Sequence, residues 1–496
     1  MLPQSPVLAV VIPLIFAFLN LIFGWWKKGF SYPIALVALS ISFLASLHTL
    51  NTVITSGTIH YHLGNWDPPW GIEYVIDHLN AFVLVIIASI SFFVAIYSKR
   101  SVEQELPEKI VFFYTIYLLL VTGLLGIAAT GDMFNLYVFL EIASLAAYAL
   151  IAIGEDGAPF ASFNYVILGT IGACFYLLGV GYLYIVTGSL NMADLSQILP
   201  TLYHSKVVLV AFAFFLVGVG IKMALFPLHV WLPDAYTYAP SAVSALVAPL
   251  MTKVGAYVMI RIMFTVFRPY FSIELFPVAT LLGWMAAVAI IFGSVLALAQ
   301  VDLKRMLAYI VVSEVGYIAL GVGLANRDGL TGAILHILND AFMMLALFLV
   351  VGAIMYRSGK REISGLTYLH RRMPLTMAAF VIAALSVIGI PPTCGFFSKW
   401  YLILGSIHAS QWVFVAVLLV SSLLNVILFF RVIENAYLEP GGEPIGAGSE
   451  LAIAPEEAPL SMLIPILIAT AGIMALGVLS GKIISAVIQF AVPAYF

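Results

Sequence analysis

The stretch that decides the fold reads GVGIKMALFPLHVWLPDAYTYAPSAVSALVAPLMTKVGAYVMI, from Gly218 to Ile260. Two lysines, Lys222 and Lys253, sit here inside otherwise apolar helical segments. Lys222 comes five residues before Pro227, and Lys253 four after Pro249. A lysine deep in an apolar span must pair, lie beside water or give up its proton. Neither proline can donate to the turn before it, so the carbonyls of Met223 and Ala245 are expected to be released close to the two lysines. Freed carbonyls attract water or an ammonium, as a hydrated proton path requires.

Working outward, composition names the solvent. Of 496 residues 63% are hydrophobic and 9% charged, with a mean hydropathy of +1.10. In lipid every backbone polar group must be satisfied internally, by helices or a closed barrel. The apolar runs are about 20 residues long and do not alternate, which selects helices. The net charge of −3 says little of partners, and no basic run points to nucleic acid. Cys174 and Cys394 stand far apart. With no CxxC, haem-attachment or glycine-rich dinucleotide pattern, the chain is expected to carry no metal, cofactor or redox centre of its own. The first apolar run lacks a basic leader and a small-residue cleavage site, so it is expected to remain as a helix.

Apolar stretches near 4–24, 31–54, 76–98, 110–129, 132–153, 161–186, 206–227, 241–262, 276–299, 304–324, 330–355, 374–404, 411–432 and 460–489 predict fourteen helices. The protein is therefore expected to be an all-α polytopic membrane protein. The seventh helix should break at Pro227 and the twelfth at Gly389, Pro391, Pro392 and Gly395. Alternate helix ends divide the basic residues unequally. Lys27, Lys28, Lys99, Arg100, Lys109, Lys304, Arg305, Arg357, Lys360, Arg361, Arg371, Arg372 and Arg431 fall on one side, against Lys206, Arg261, Arg268 and Arg327 on the other. The positive-inside rule places the richer side in the cytoplasm and both termini outside, in a cell membrane. Trp25, Trp26, Trp66 and Trp70 fall near helix ends, where an aromatic belt would put them.

The two breaks lie five helices apart. Helices 4–8 (110–262) and 9–13 (263–437) then form two repeats, and because five is odd the second must be inverted. Residues 1–109 supply three helices before them. Residues 438–496 supply an acidic, glycine-rich loop, expected to be flexible through Glu457, and a last helix.

Few ionisable residues fall near mid-membrane: Glu141, Lys222, Lys253, Glu314, His336, Asp340 and Lys399. Each lysine or aspartate at a bilayer centre costs roughly 2.5–3.5 kcal/mol if it meets lipid, so the set would cost roughly 15 kcal/mol. These residues must face one another or water. Each also has a plainer reading. Glu141 and Lys222 can be a static ion pair, Lys253 can snorkel, and Glu314 can bond a neighbour. His336 can be an ordinary interior histidine, and Lys399 can cap carbonyls freed by Pro391 and Pro392. His336 and Asp340, four apart on one face, are expected to form one acid–imidazole unit. Burial favours the neutral amine and a nearby carboxylate favours the ammonium. Movement of Glu141 toward or away from Lys222 would then load or unload a proton, and Lys253 would pass it on.

Five segments carry a resemblance: GDMFNLYVFLEIASLAAYAL (131–150), IKMALFPLHVWLPDAYTYAPSAVSAL (221–246), TKVGAYVMIR (252–261), DLKRMLAYIVVSEVGYI (302–318) and GIPPTCGFFSKW (389–400). Over nearly the whole length the chain resembles the antiporter-like subunits shared by complex I, Mrp sodium/proton antiporters and membrane-bound hydrogenases. It looks most like the D-type subunit of Mrp, whose homologues include the Mrp-like module of hydrogenases and sulfane reductases. The resemblance implies fourteen helices with inverted five-helix repeats and breaks in helices 7 and 12. It places the family's functional residues at Glu141, Lys222, Lys253 and Lys399, and puts His229 and Asp234 in the broken-helix motif with Pro227. Where many members read HxxxHxxxK in helix 11, this chain has His336, Asp340 and Met344. Glu314 stands where others carry glutamine or histidine, and is expected to take over part of the missing relay.

The resulting expectation is a proton-translocating subunit of a respiratory or Mrp-type complex. It would work beside antiporter-like and small Mrp-type membrane subunits in the lipid bilayer, with sodium left open as a second ion. Two rivals stand against it: a quinone-interacting subunit of a redox complex, and a self-sufficient sodium/proton antiporter.

Overall fold

The computed structural model describes residues 4–154, 156–438 and 455–496. Among them, twelve helices are long and apolar enough to cross a membrane. At the seventh and twelfth predicted positions the chain forms helix pairs. These are Lys206–Lys222 with Trp231–Tyr238, and Pro374–Ile388 with Cys394–His408. With those pairs, every one of the predicted positions is helical.

Local chemistry sets the ends. The eleventh helix, predicted over 330–355, runs Arg327–Ser358. Asn326 extends it at the start by accepting from the Gly329 amide at 2.8 Å, and Gly359 stops it with a left-handed φ of 66°. The first half of the twelfth crossing stops in the same way at Gly389, whose φ is 95°. In the seventh crossing the Met223 and Leu225 amides still bond Val219 and Gly220. The Ile221 carbonyl, past the last full turn, accepts the indole N–H of Trp231 at 3.0 Å. That indole stacks on Tyr165 with centroids 3.8 Å apart.

The helices are unequally buried. The Ser241–Val266 span is wholly enclosed, and Leu303–Gly323 and Arg327–Ser358 nearly so. Ser5–Trp26, the second span and Trp412–Tyr437 bury only about a third of their residues. An exposed apolar face meets lipid at no cost, so hydropathy alone does not rank these helices; packing does.

One element departs from the all-helical expectation. Ile59–His62 and Glu73–Ile76 form an antiparallel hairpin between the second and third helices. Tyr74 bridges to Thr130, and the Gly131 amide donates to the Glu73 carbonyl at 2.9 Å. The Glu73 carboxylate accepts from the Asn191 side chain at 2.7 Å, while Met133 and Met192 complete backbone bonds to Leu190 and Gly131. Trp66 and Trp70 project from the hairpin loop, and Trp25 and Trp26 from the end of the first helix, all strongly exposed.

Two basic residues used to orient the chain are not solvated. Lys304 is buried and donates to the Ala239 carbonyl. Arg261 is buried against Asp77, the N-cap of His78–Glu105, through two close guanidinium contacts. The acidic loop lies outside the described residues except for its last three. Of these, Glu457 caps the Pro374–Ile388 helix by accepting from the Leu375 amide and the Thr376 hydroxyl, both at 2.6 Å.

Candidate functional site: a row of buried charges

The outer member of the row is Lys222, at the last turn before the seventh crossing breaks. Its Nζ lies 3.5 Å from Glu141 Oε1 and donates to Ser144 Oγ at 2.8 Å and Tyr148 Oη at 3.5 Å. Glu141, Ser144 and Tyr148 fall at i, i+3 and i+7 of Met133–Ala152, so one helix face presents all three. The expected Glu141–Lys222 pair is present. Its geometry is that of a charge contact, because Glu141 Oε1 makes no hydrogen bond. Lys222 is buried, whereas the Glu141 side chain keeps 24% of its surface and stands at the perimeter. The expectation of a proline-freed carbonyl at Lys222 is not met. Hydroxyls serve the ammonium, and the break's Ile221 carbonyl goes to Trp231.

In the centre, Lys253 Nζ lies 2.5 Å from Asp340 Oδ2 and donates to the Ala248 carbonyl at 2.9 Å. Here too the carbonyl differs from the one expected: Pro249 releases Ala245, one turn back, but the side chain curls onto Ala248. His336 Nε2 lies 3.0 Å from Glu314 Oε2, and its Nδ1 is 2.9 Å from Ser398 Oγ. His336 and Asp340 do share a helix face, but they do not form one unit. Each reaches across to a different helix, His336 to Glu314 and Asp340 to Lys253. The ordering reason is charge: a buried carboxylate is held better by an ammonium than by an imidazole one turn away. Glu314, His336 and Asp340 are completely buried. One oxygen of each carboxylate lies at ion-pair distance, and none of the four has an aligned donor. Such oxygens have unused capacity for ordered water. Met344, also fully buried, contributes no charge.

Lys399 closes the row. Its Nζ donates to the Val387 carbonyl at 2.5 Å and sits 4.4 Å from the Tyr317 ring centroid. Val387 is the residue whose helical partner would have been the missing N–H of Pro391, so the contact is the one that the plainer reading of Lys399, as a cap on proline-freed carbonyls, describes. Tyr317 is one turn from Glu314 on the same helix, and Glu314 lies within electrostatic reach of Lys399, His336 and Lys253. The central groups thus form one cluster with Lys399. Lys222 stands apart from it, beside a mainly apolar cavity of about 30 Å³ lined by Ser144, Met251, Val254, Gly255, Val258 and Lys222 itself. A space of that size holds about one water.

The remaining motif residues lie off the row. His229 is buried beside the Phe226 and Phe292 rings, with centroids 5.3 and 5.8 Å away. Asp234 pairs with Arg305 at 3.1 Å. Pro249 is buried within Ser241–Ile260, while Pro227, Pro391 and Pro392 are exposed at the breaks. Sequence reasoning passed over Ser144, Tyr148, Tyr317 and Ser398, which contact the charges directly. Neutral hydroxyl residues do not disturb hydropathy; helical spacing from Glu141 marks Ser144 and Tyr148, spacing from Glu314 marks Tyr317, and only adjacency to Lys399 marks Ser398. Among the described residues no group of three or more His, Cys, Asp or Glu side chains could hold a metal ion.

The row falls within residues 130–425, which match the family described as NADH:quinone oxidoreductase/Mrp antiporter, transmembrane. The chain is 49% identical to the N-type subunit of NADH-quinone oxidoreductase from Desulforudis audaxviator, over 99% of each sequence. It is 35% identical to the D-type subunit of the Na(+)/H(+) antiporter from Alkalihalophilus pseudofirmus, over 79% of each. Among solved structures, a chain of an archaeal membrane-bound sulfane sulfur reductase superposes with a TM-score of 0.90 at 31% identity, covering 98% of this chain and 96% of that one.

Proposed function

Because the chain belongs to the NADH:quinone oxidoreductase/Mrp antiporter membrane family, we propose that this antiporter-like subunit moves protons along its row of buried charges. The observation that carries the reading is the alternation of bases and carboxylates from Glu141–Lys222 at the perimeter to Lys399 at the second break. Withdrawal of Glu141 leaves the Lys222 ammonium buried without its counter-charge, which favours release of its proton. The small cavity beside Lys222 is walled by the helix that carries Lys253, and water entering there is the proposed bridge to the centre. There Lys253–Asp340 and His336–Glu314 exchange charge, and Lys399 delivers the proton on the far side of the second break.

The multi-pass membrane fold is common to these relatives. The reading adds a cell membrane, both termini outside, and residues 110–262 and 263–437 as inverted repeats, supported by two split crossings five positions apart. It also adds neighbouring antiporter-like and small membrane subunits, by analogy with the multisubunit complexes in which structural relatives reside. Reconstituted into vesicles with its native partners, the protein carrying Lys222→Ala or Glu141→Ala should lose coupled proton pumping by at least about tenfold, a rise of roughly 1.4 kcal/mol in the transfer barrier. Wild-type pumping in both variants would sink the relay.

A further inference from the structure

A larger cavity of mixed lining, about 350 Å³, lies far from the row, where the start of the second helix meets the end of His78–Glu105 and the start of Ile110–Ala129. Lys28, Lys99, Tyr32, Pro33, Glu103 and Tyr114 contribute to its walls. The Lys99 ammonium sits 5.2 Å from the Tyr32 ring centroid, and no carboxylate pairs with it among the described residues. Lys28 is engaged only by Glu108, at 3.0 Å, and both side chains are largely solvated, so that pair is weak and displaceable. Glu103, the acidic group in the wall, pairs with Arg100 at 3.0 Å in a similarly solvated contact, so the two wall lysines outnumber it and do not depend on its being neutralised. Lys27 and Lys109 add to the local positive field.

Two further observations say what kind of molecule fits. Trp25 and Trp26 beside the cavity are 91% and 85% exposed, which puts it at headgroup depth. Exposed Pro33 in the wall heads a stripe of exposed apolar side chains on the same helix face: Val37, Ile41 and Leu44, at i+4, i+8 and i+11. A free anion would use the cations and ignore that stripe. A phospholipid uses both, with phosphate against Lys28 and Lys99 and an acyl chain along the stripe. Basic pockets between membrane helices are suited to anionic headgroups. We propose that this cavity is a binding site for a glycerophospholipid with an anionic headgroup. It is independent of the proton relay and survives or fails separately from it.

The test is native mass spectrometry of the full chain, with its co-purifying subunits, after delipidation in zwitterionic detergent. Phosphatidylglycerol, phosphatidylcholine of the same acyl chains and free glycerol phosphate serve as probes. Phosphatidylglycerol should be retained at least about tenfold better than phosphatidylcholine, as expected for two lysines near a headgroup. The Lys28→Gln/Lys99→Gln double variant should lose that preference, while Lys28→Arg/Lys99→Arg and the distant Lys360→Gln should keep it. Equal retention of the two lipids, an unchanged preference in the double glutamine variant, or equal competition by glycerol phosphate would each overturn the proposal. Should the glutamine variant fail to fold, the comparison of lipids on the wild-type and arginine chains still decides.

Discussion

Lys253 and Asp340 bury one another's charge at 2.5 Å, with the Ala248 carbonyl taking a further ammonium proton. Removing one partner leaves the other charge buried and alone, which typically costs about 3–5 kcal/mol. Asp340→Asn should therefore lower the midpoint of thermal unfolding and abolish transport. Adding Lys253→Met should recover stability without recovering transport, a separation that thermal scans and vesicle assays on the same preparations would show. Glu314→Gln keeps shape but removes the counter-charge from His336 and from the reach of Lys399; pumping should fall at least about tenfold, and unimpaired coupling would take Glu314 out of the path. Outside the membrane spans, burial by itself would raise the Asp77 carboxyl. The Arg261 charge and hydrogen bonds, with the Asn80 and Leu79 amides, outweigh it and hold it below the usual carboxylate range. A carboxyl lower in the folded than in the unfolded state stabilises fully above its unfolded value, near 4, and loses that contribution as pH falls through the folded one. Thermal stability should drop below about pH 4, and Asp77→Asn should flatten that drop. At this scale the kinds of residue were legible in the sequence and their partners were not. Spacing joined His336 to Asp340, while pairing depends on which neighbouring helix each side chain reaches, information that a single helix does not hold.

Elements were easier to read, because glycine and proline act through the backbone. Pro391 and Gly389 announced the second break, and even the carbonyl that Lys399 caps followed from the position of Pro391. The first break was placed correctly, but its repair by Trp231 was hidden, since an indole reaching ten residues back requires the turn to exist first. Trp231→Phe keeps the stacking on Tyr165 and removes one of two bonds to the Ile221 carbonyl, which the Ala224 amide still serves at 3.1 Å, so it should cost about 0.5–1.5 kcal/mol in unfolding free energy. Gly477 is a harder constraint. A Cβ there would stand 2.0 Å from the Pro392 carbonyl oxygen, so Gly477→Ala should displace the last helix from the second break and lower thermal stability. The hairpin escaped notice for a different reason. Strands of four residues, IHYH and EYVI, are too short to show a period, and their pairing is held largely by contacts to residues 130–133 and 189–192.

At the scale of the whole molecule, hydropathy found the crossings but could not say which of them are central, because lipid and protein interior are equally apolar. The charges did say it: Lys253, Glu314, His336 and Asp340 all lie on the three most enclosed spans. The unequal distribution of basic residues also sets the proposed orientation. In a background with Cys174→Ser and Cys394→Ser, Ser364→Cys should be labelled by an impermeant thiol reagent only from the cytoplasmic side, and Thr201→Cys only from outside; the reverse pattern would invert the chain. The hairpin bears on how such a molecule moves. Through Thr130 and Gly131 on one side and Asn191 on the other it ties the entry to the Glu141 helix to the segment that leads into the seventh crossing, which Met133 also bonds directly at Leu190. Glu141 lies nine residues beyond Asp132, roughly 13 Å along the axis. A rod pinned at one end swings about the pin, with displacement growing toward the free end. If the proposed relay parts Glu141 from Lys222, the hairpin is the fulcrum of that swing and the opposite tip, where Lys109 holds the Ile153 carbonyl at 3.1 Å, is where a pull has its best mechanical advantage.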